Sequence, residues 1–227
     1  MGYNALHDSA ERQDAHRCYI GTRTLIIQRL VAWICRETEK STLLLWMHGG
    51  AGAGKSVIMQ TLVDACFAAG LILGSYFFSR FDPSRNNAEA LIPTLAYQMA
   101  CQFPQVLEVL EQNINKDPLI FKRSIATQAM VLLVEPLRHL VRLKIFPPQA
   151  QVSPHVFVID ALDECQDKEK QPLIIDVLTD ILYDQHVPVL FLISSRPDQN
   201  TVMDRSLRQA SVLETNSNIS VIWPSIS

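Results

Sequence analysis

The sequence predicts an α/β sandwich with a mostly parallel central sheet, and three observations predict it. Short apolar runs of strand length alternate with longer stretches whose apolar residues recur at helical spacing. The short runs are continuously apolar instead of alternating, as in strands covered by helices on both faces. A glycine-rich segment joins the first run to the periodic stretch that follows it.

Taken in order, residues 1–21 read as an irregular polar lead-in. Thr22 or Thr24 is placed to cap a helix reaching about Glu39, with Ile26, Leu30, Trp33 and Ile34 on one face. LLLWM at 43–47 is the first strand. A helix from Lys55 to about Ala69 carries Ile58, Leu62, Ala65 and Cys66 on one stripe, and Gly70 is suited to end it in a left-handed conformation. LILGSYFFS at 71–79 is the second strand. Ala88 to Cys101 reads as a helix with Pro93 in its first turn or at a kink, another helix begins at Pro104, and a third spans about Ser124 to Leu143, broken near Pro136. A Pro-rich connection covers 147–155. HVFVID at 155–160 is the third strand, 170–185 a helix, and VPVLFLISS at 187–195 the fourth strand. A short helix at 200–208 and a fifth strand at 210–215 complete the pattern, leaving 216–227 as an atypical tail. The main domain is therefore expected over residues 22–215.

The 227 residues suffice for one domain that buries roughly 70% of its unfolded surface without disulfide or structural metal. The 20 basic and 23 acidic residues leave a net charge of −3, and no Lys/Arg block marks a nucleic-acid footprint. Five widely spaced cysteines lack a Cys-x-x-Cys pair and read as small hydrophobes in a reducing compartment. The first residues lack an apolar signal core, and no run approaches the ~20 apolar residues of a membrane span. A cytoplasmic protein without nucleic-acid or membrane partners is the expectation.

Gly49, Gly50, Ala51, Gly52, Ala53, Gly54, Lys55 and Ser56 match Gly-x4-Gly-Lys-Ser in full, between a strand and an apolar-periodic helix. That context makes the segment a phosphate loop and refines the fold to a P-loop NTPase three-layer sandwich. Glycines let the backbone turn tightly and approach a ligand closely. Successive N–H groups and the positive end of the next helix face one anion-sized hollow. Lys55 reaches the β and γ phosphates, and the Ser56 hydroxyl is a magnesium ligand. ATP or GTP, or the diphosphate ADP or GDP, with Mg2+ is the expected cofactor set. No Asn-Lys-x-Asp element for reading guanine is present, although the loop itself serves ATP and GTP alike.

Asp160 ends the third strand, where ligands of parallel sheets lie. It is the candidate magnesium carboxylate. Asp163 and Glu164 follow at once, and a carboxylate in that position can orient water for attack on the γ phosphate. Glu164 is the preferred base and Asp163 the second choice. Arg196, ending the fourth strand, has the donor fork that suits phosphate oxygens. Arg80 is a weaker candidate for the same role, and Arg23 is a candidate neighbour of the base or ribose. His48 reads as structural, and Trp46, Phe77 and Phe78 read as core.

With those motifs placed, the chain resembles the NACHT domain of fungal STAND-type NTPases and the N-terminal region of nephrocystin-3-like proteins. The resemblance rests on DSAERQDAHRCYIGTR at 8–23, HGGAGAGKS at 48–56, GSYFFSR at 74–80, LIPTLAYQMA at 91–100, VFVIDALDEC at 156–165 and FLISSRPD at 191–198. It implies that Gly49 to Ser56 is the Walker A loop, Asp160 the Walker B residue, Asp163 and Glu164 the following acidic pair, and Arg196 the sensor-1 arginine. It also implies that Arg23 lies near the adenine. Members are regulatory switches whose nucleotide states differ in oligomerisation, in fungi linked to non-self recognition and programmed cell death. They continue into helical and winged-helix regions and then repeats. NSNISVIWPSIS at 216–227 does not resemble that continuation, so a truncated form is expected.

The expected function is therefore a Mg-ATP-binding regulatory module with slow hydrolysis, self-associating or joined to a partner protein through neighbouring NTPase modules. Two alternatives stay open. One is a nucleotide-binding scaffold without hydrolysis. The other is a small-molecule or nucleotide kinase, for which 82–154 offers Arg85, Arg123, Arg138 and Arg142 but no compact lid-like cluster.

Overall fold

The computed structural model describes residues 2–19, 21–146, 155–183, 185, 187–197, 211–214 and 219–223. The strands are β1 (Leu44–Gly49), β2 (Ile72–Phe77), β3 (Val156–Asp160), β4 (Leu190–Ser195), β5 (Ser211–Glu214) and β6 (Ile219–Trp223). The helices are α1 (Thr24–Ile34), α2 (Lys55–Ala68), α3 (Leu91–Gln102), α4 (Leu107–Lys116), α5 (Ile125–Ala129), α6 (Glu135–Arg142) and α7 (Lys170–Tyr183). All strands join one sheet in the order β2-β3-β4-β1-β6-β5. The pairs β2/β3, β3/β4 and β4/β1 are parallel, whereas β6 runs antiparallel to both β1 and β5. The protein is thus an α/β three-layer sandwich around a four-stranded parallel sheet, extended by an antiparallel pair. No helix among the described residues is long and apolar enough to cross a membrane.

Each face of the sheet has its own core, which explains why the strands do not alternate in polarity. On one face α1 and α2 cover Leu45, Met47, Phe77, Val158 and Leu192, and Trp33 and Ile58 are fully buried between them. On the other, the helices from α3 to α7 cover Trp46, Tyr76, Phe157, Ile159 and Phe191. Trp46, Phe77 and Phe78 are core residues, as their apolar setting in the sequence suggests.

Several elements differ from the expectation in ways with a physical reason. The helix α1 begins at Thr24 with no threonine cap. The preceding Arg23 holds a left-handed φ of 58°, and no side chain caps the helix. It stops at Ile34, before the second left-handed residue, Arg36. Gly70 does close α2 as expected, with φ 71° and the Leu71 N–H bonded to the Cys66 carbonyl at 3.0 Å. The break near Pro136 takes a particular form. Met130–Val134 is a π-helical stretch between α5 and α6, and Pro136 lies in the first turn of α6. The proline lacks the N–H for the α-helical bond to Leu132, and its ring crowds that carbonyl. Widening the preceding turn accommodates both. The strand Ile219–Trp223, beside β1, was not anticipated. The expected connection at 147–155 and the expected helix at 200–208 lie outside the described residues, His155 excepted.

Candidate functional site

Parallel pairing sets the carboxyl ends of β1 to β4 at one edge, and the register brings the candidate residues level. Met47 pairs with Ser194, His48 with Ser195, Ile159 with Ile193, and Phe77 with Asp160. The strand between β1 and β3 in space is β4. It is not 71–79, which lies between them only in sequence.

The loop after β1 has the geometry of an anion cradle. Gly52 and Gly54 adopt φ of 74° and 86°, which a residue with Cβ holds only under strain. A Cβ at Gly50 or Gly52 would meet nothing within 4 Å, so the loop backbone is open to an approaching ligand. A Cβ at Gly54 would fall 2.3 Å from Arg23 Nη1, which itself donates to the Gly54 carbonyl at 3.1 Å. Arg23 therefore braces the loop from outside. The helix α2 starts without a side-chain cap, leaving its first N–H groups for a ligand. Lys55 is buried and curls back, its Nζ donating to the carbonyls of Gly49 at 2.7 Å and Gly50 at 3.1 Å. Burial pulls the Lys55 ammonium below its ordinary pKa, against the attraction of Asp163 and Asp160.

Asp160 is only 2% exposed. It accepts a hydrogen bond from the Ser194 hydroxyl, whose Oγ accepts in turn from the Ala161 N–H at 3.1 Å, and the Ser56 hydroxyl stands close enough to favour its charge. Burial pushes the Asp160 carboxyl up, and these hydroxyls, Arg12 and Lys55 oppose the shift. The donor set suits magnesium: one carboxylate and one hydroxyl, with the remaining positions left to water and phosphate oxygens. Among the described residues no group of three or more His, Cys, Asp or Glu side chains forms a self-sufficient metal cage.

Ala161 has a left-handed φ of 54° and turns the chain sharply after β3 into the short turn Leu162–Glu164. A small side chain lowers the cost of that turn. It returns both acids to the edge, where they meet the arginines. Asp163 accepts from the Arg196 backbone N–H at 3.0 Å and pairs with Arg196 Nε at 3.1 Å. Glu164 accepts from the Arg80 N–H at 3.2 Å and lies 3.9 Å from Arg80 Nη2 and 4.0 Å from Arg196 Nη2. These residues line a cavity of about 400 Å3 with Lys168, Gln171 and Pro197. His48 stacks on Trp46 with centroids 4.6 Å apart, and Trp46 Nε1 donates to Ser195 Oγ at 2.8 Å, which ties β1 to β4 beneath the site.

The structure thus gathers Lys55, Ser56, Asp160, Asp163, Glu164 and Arg196 at one edge, and holds Arg23 against Gly54 of the loop. It adds a residue that sequence reasoning missed. Arg12, from the lead-in, donates through Nε and Nη2 to Gln60 Oε1 at 3.0 and 2.7 Å and covers the Phe77 ring at 3.7 Å. The available signal was indirect: Gln60 and Asp64, four apart on α2, are polar positions beside the buried apolar face of that helix.

The family model described as Nephrocystin 3, N-terminal matches residues 21–196. That span runs from just before α1 to the end of β4 and includes every candidate residue except Arg12. No curated protein and no solved structure is similar enough to the chain to count as a match.

Proposed function

Because the chain belongs to the nephrocystin 3 N-terminal family, we propose that it is a Mg-ATP-binding NTPase module of the NACHT type, a slow regulatory switch of the STAND class acting in the cytoplasm. One observation carries the reading: the Gly49–Ser56 cradle and the buried Asp160 converge, close enough that the Ser56 hydroxyl and the Lys55 ammonium both favour the charged carboxylate across the strand between them. In this reading the loop N–H groups of Gly50 to Ser56 surround the phosphates. Lys55 leaves the Gly49 and Gly50 carbonyls to contact the β and γ oxygens. Ser56 and Asp160 would hold Mg2+, which when bound neutralises charge between the β and γ phosphates. Glu164 orients the attacking water, with Asp163 behind it, and Arg196 contacts the γ phosphate. Arg23 borders the base side of the loop.

The arginine contacts give the slow turnover a physical basis. Arg196 is 44% exposed and holds Asp163. A pair so open to water is worth at most about 1 kcal/mol, so a triphosphate can displace it. Until then both candidate bases face arginines. The same observation favours a second reading, nucleotide binding without hydrolysis, if Arg196 never releases the acids. Self-association or a partner module supplying a further arginine is part of the switch reading.

Phosphate release measured on the purified chain across a concentration series separates these readings. Turnover that rises with protein concentration is expected. Glu164→Gln should bind Mg-ATP with unchanged affinity and slow release roughly a hundredfold. Wild-type turnover absent at every concentration would favour the scaffold, and equal turnover in the variant would remove Glu164 as base.

A further inference from the structure

Arg12 is a partly buried cation whose hydrogen-bond acceptor is a neutral amide. It ends the short turn Ala10–Arg12 ahead of α1. Both of its hydrogen bonds go to Gln60, a neutral acceptor that is fully buried and fixed by donating to the His7 carbonyl at 3.1 Å and Asp64 Oδ1 at 2.8 Å. Among the described residues Arg12 makes no ion pair, whereas Arg17 in the same segment pairs with Asp64 at 2.7 Å. Burial lowers its guanidinium pKa to about 10, and the Asp160 carboxylate is the strongest opposing charge. A desolvated guanidinium is costly unless an anion stands near it.

Two elements locate it. Gln60 follows Ser56 by one turn of α2, and helical side chains lean back toward the helix start. Its amide, and the guanidinium attached to it, therefore lie over the turn that carries Ser56. On the other flank Arg12 covers Phe77, which is level with Asp160 across β2 and β3. The charge is therefore within electrostatic reach of the Asp160 carboxylate from the side of β2, whereas Arg196 follows β4 on the other side of β3.

We propose that Arg12 is a further phosphate-binding residue, a cation that the lead-in carries to the terminal phosphate of a bound nucleoside triphosphate. The proposal rests on the reading of Gly49–Ser56 as the phosphate loop. It makes residues 2–18 part of the site, although they lie before the span matched by the family model. The segment is fastened for that purpose. The Cys18 N–H donates to Thr61 Oγ1 at 2.9 Å, the His7 N–H to Ser75 Oγ at 3.2 Å, and the Gly2 N–H to Thr94 Oγ1 at 2.8 Å.

Calorimetric titration of the full chain with Mg-ATP and with Mg-ADP tests it, using wild type, Arg12→Met and Arg12→Lys. Arg12→Met should weaken Mg-ATP roughly ten- to a hundredfold, the worth of a hydrogen bond to a charged group, and leave Mg-ADP within about threefold. Arg12→Lys should lie between, because an ammonium keeps the charge but loses the fork on Gln60 and the stack on Phe77. If Arg12→Met does not fold, the ATP-to-ADP affinity ratio of Arg12→Lys decides, and a wild-type ratio overturns the proposal. Equal losses for both nucleotides would make Arg12 a fastening of the lead-in only and overturn the proposal, as would unchanged affinity for both. Wild type that binds neither nucleotide refutes the phosphate-loop reading, and the proposal with it.

Discussion

Asp160 shows how a single residue trades stability for chemistry. The Ser194 hydrogen bond, the nearby Ser56 hydroxyl and two nearby cations favour its charge, yet the net shift is upward, so burial outweighs them. Ionising Asp160 therefore costs the folded chain stability. Asp160→Asn should raise the melting temperature in EDTA by about 2–4 °C, corresponding to ~1 kcal/mol in a chain of this size, while magnesium-dependent nucleotide binding falls. A lower melting temperature would mean that the carboxylate is a net stabiliser. Site residues of this kind were legible in the sequence because their chemistry is tied to short spacings: a full Gly-x4-Gly-Lys-Ser run, and acids directly after an apolar strand. Arg12 was not legible in the same way. Its surroundings come from α2 and β2, 48 and more residues away, and a polar lead-in offers no periodicity to read.

At the scale of elements, the Gly49–Ser56 loop is held by what flanks it. The strand β1 lies between β4 and β6. The helix α2 presses Ile58, Met59, Leu62 and Val63, all fully buried, into the core shared with α1. Ile58→Ala removes one of these anchors one turn past the loop. It should cost about 2–5 kcal/mol in urea unfolding, by lost burial plus the cavity left behind. A cost under 0.5 kcal/mol, the range of surface changes, would show that α2 is not packed as described. The existence and order of these elements followed from apolar periodicity. The π-helical turn before Pro136 did not, since the proline signals a break without saying how the preceding turn relaxes. The pairing of Ile219–Trp223 with β1 was missed for a different reason: five residues carry a weak signal, and strand partners depend on long-range contacts that local pattern does not encode.

For the whole molecule, the decisive relation is spatial order, which sequence order cannot supply. The sheet order sets β4 between the loop strand and the strand of Asp160, and so puts the Ser194 hydroxyl and Arg196 between the phosphate cradle and the two acids. Four cations at or near this edge are engaged with groups of the chain itself. Lys55 holds loop carbonyls, Arg196 holds Asp163, Arg80 reaches toward Glu164, and Arg12 holds Gln60. A bound triphosphate would exchange these internal contacts for one shared anion, so binding and rearrangement of the edge are the same event.

Titrating the wild-type chain and Lys55→Ala with Mg-ATP in a calorimeter tests that relation most directly. Saturable binding by wild type, weakened at least roughly a hundredfold in the variant while its unfolding transition stays intact, is the predicted result. Equal affinity in the two proteins, or no binding by a folded wild type, would contradict it.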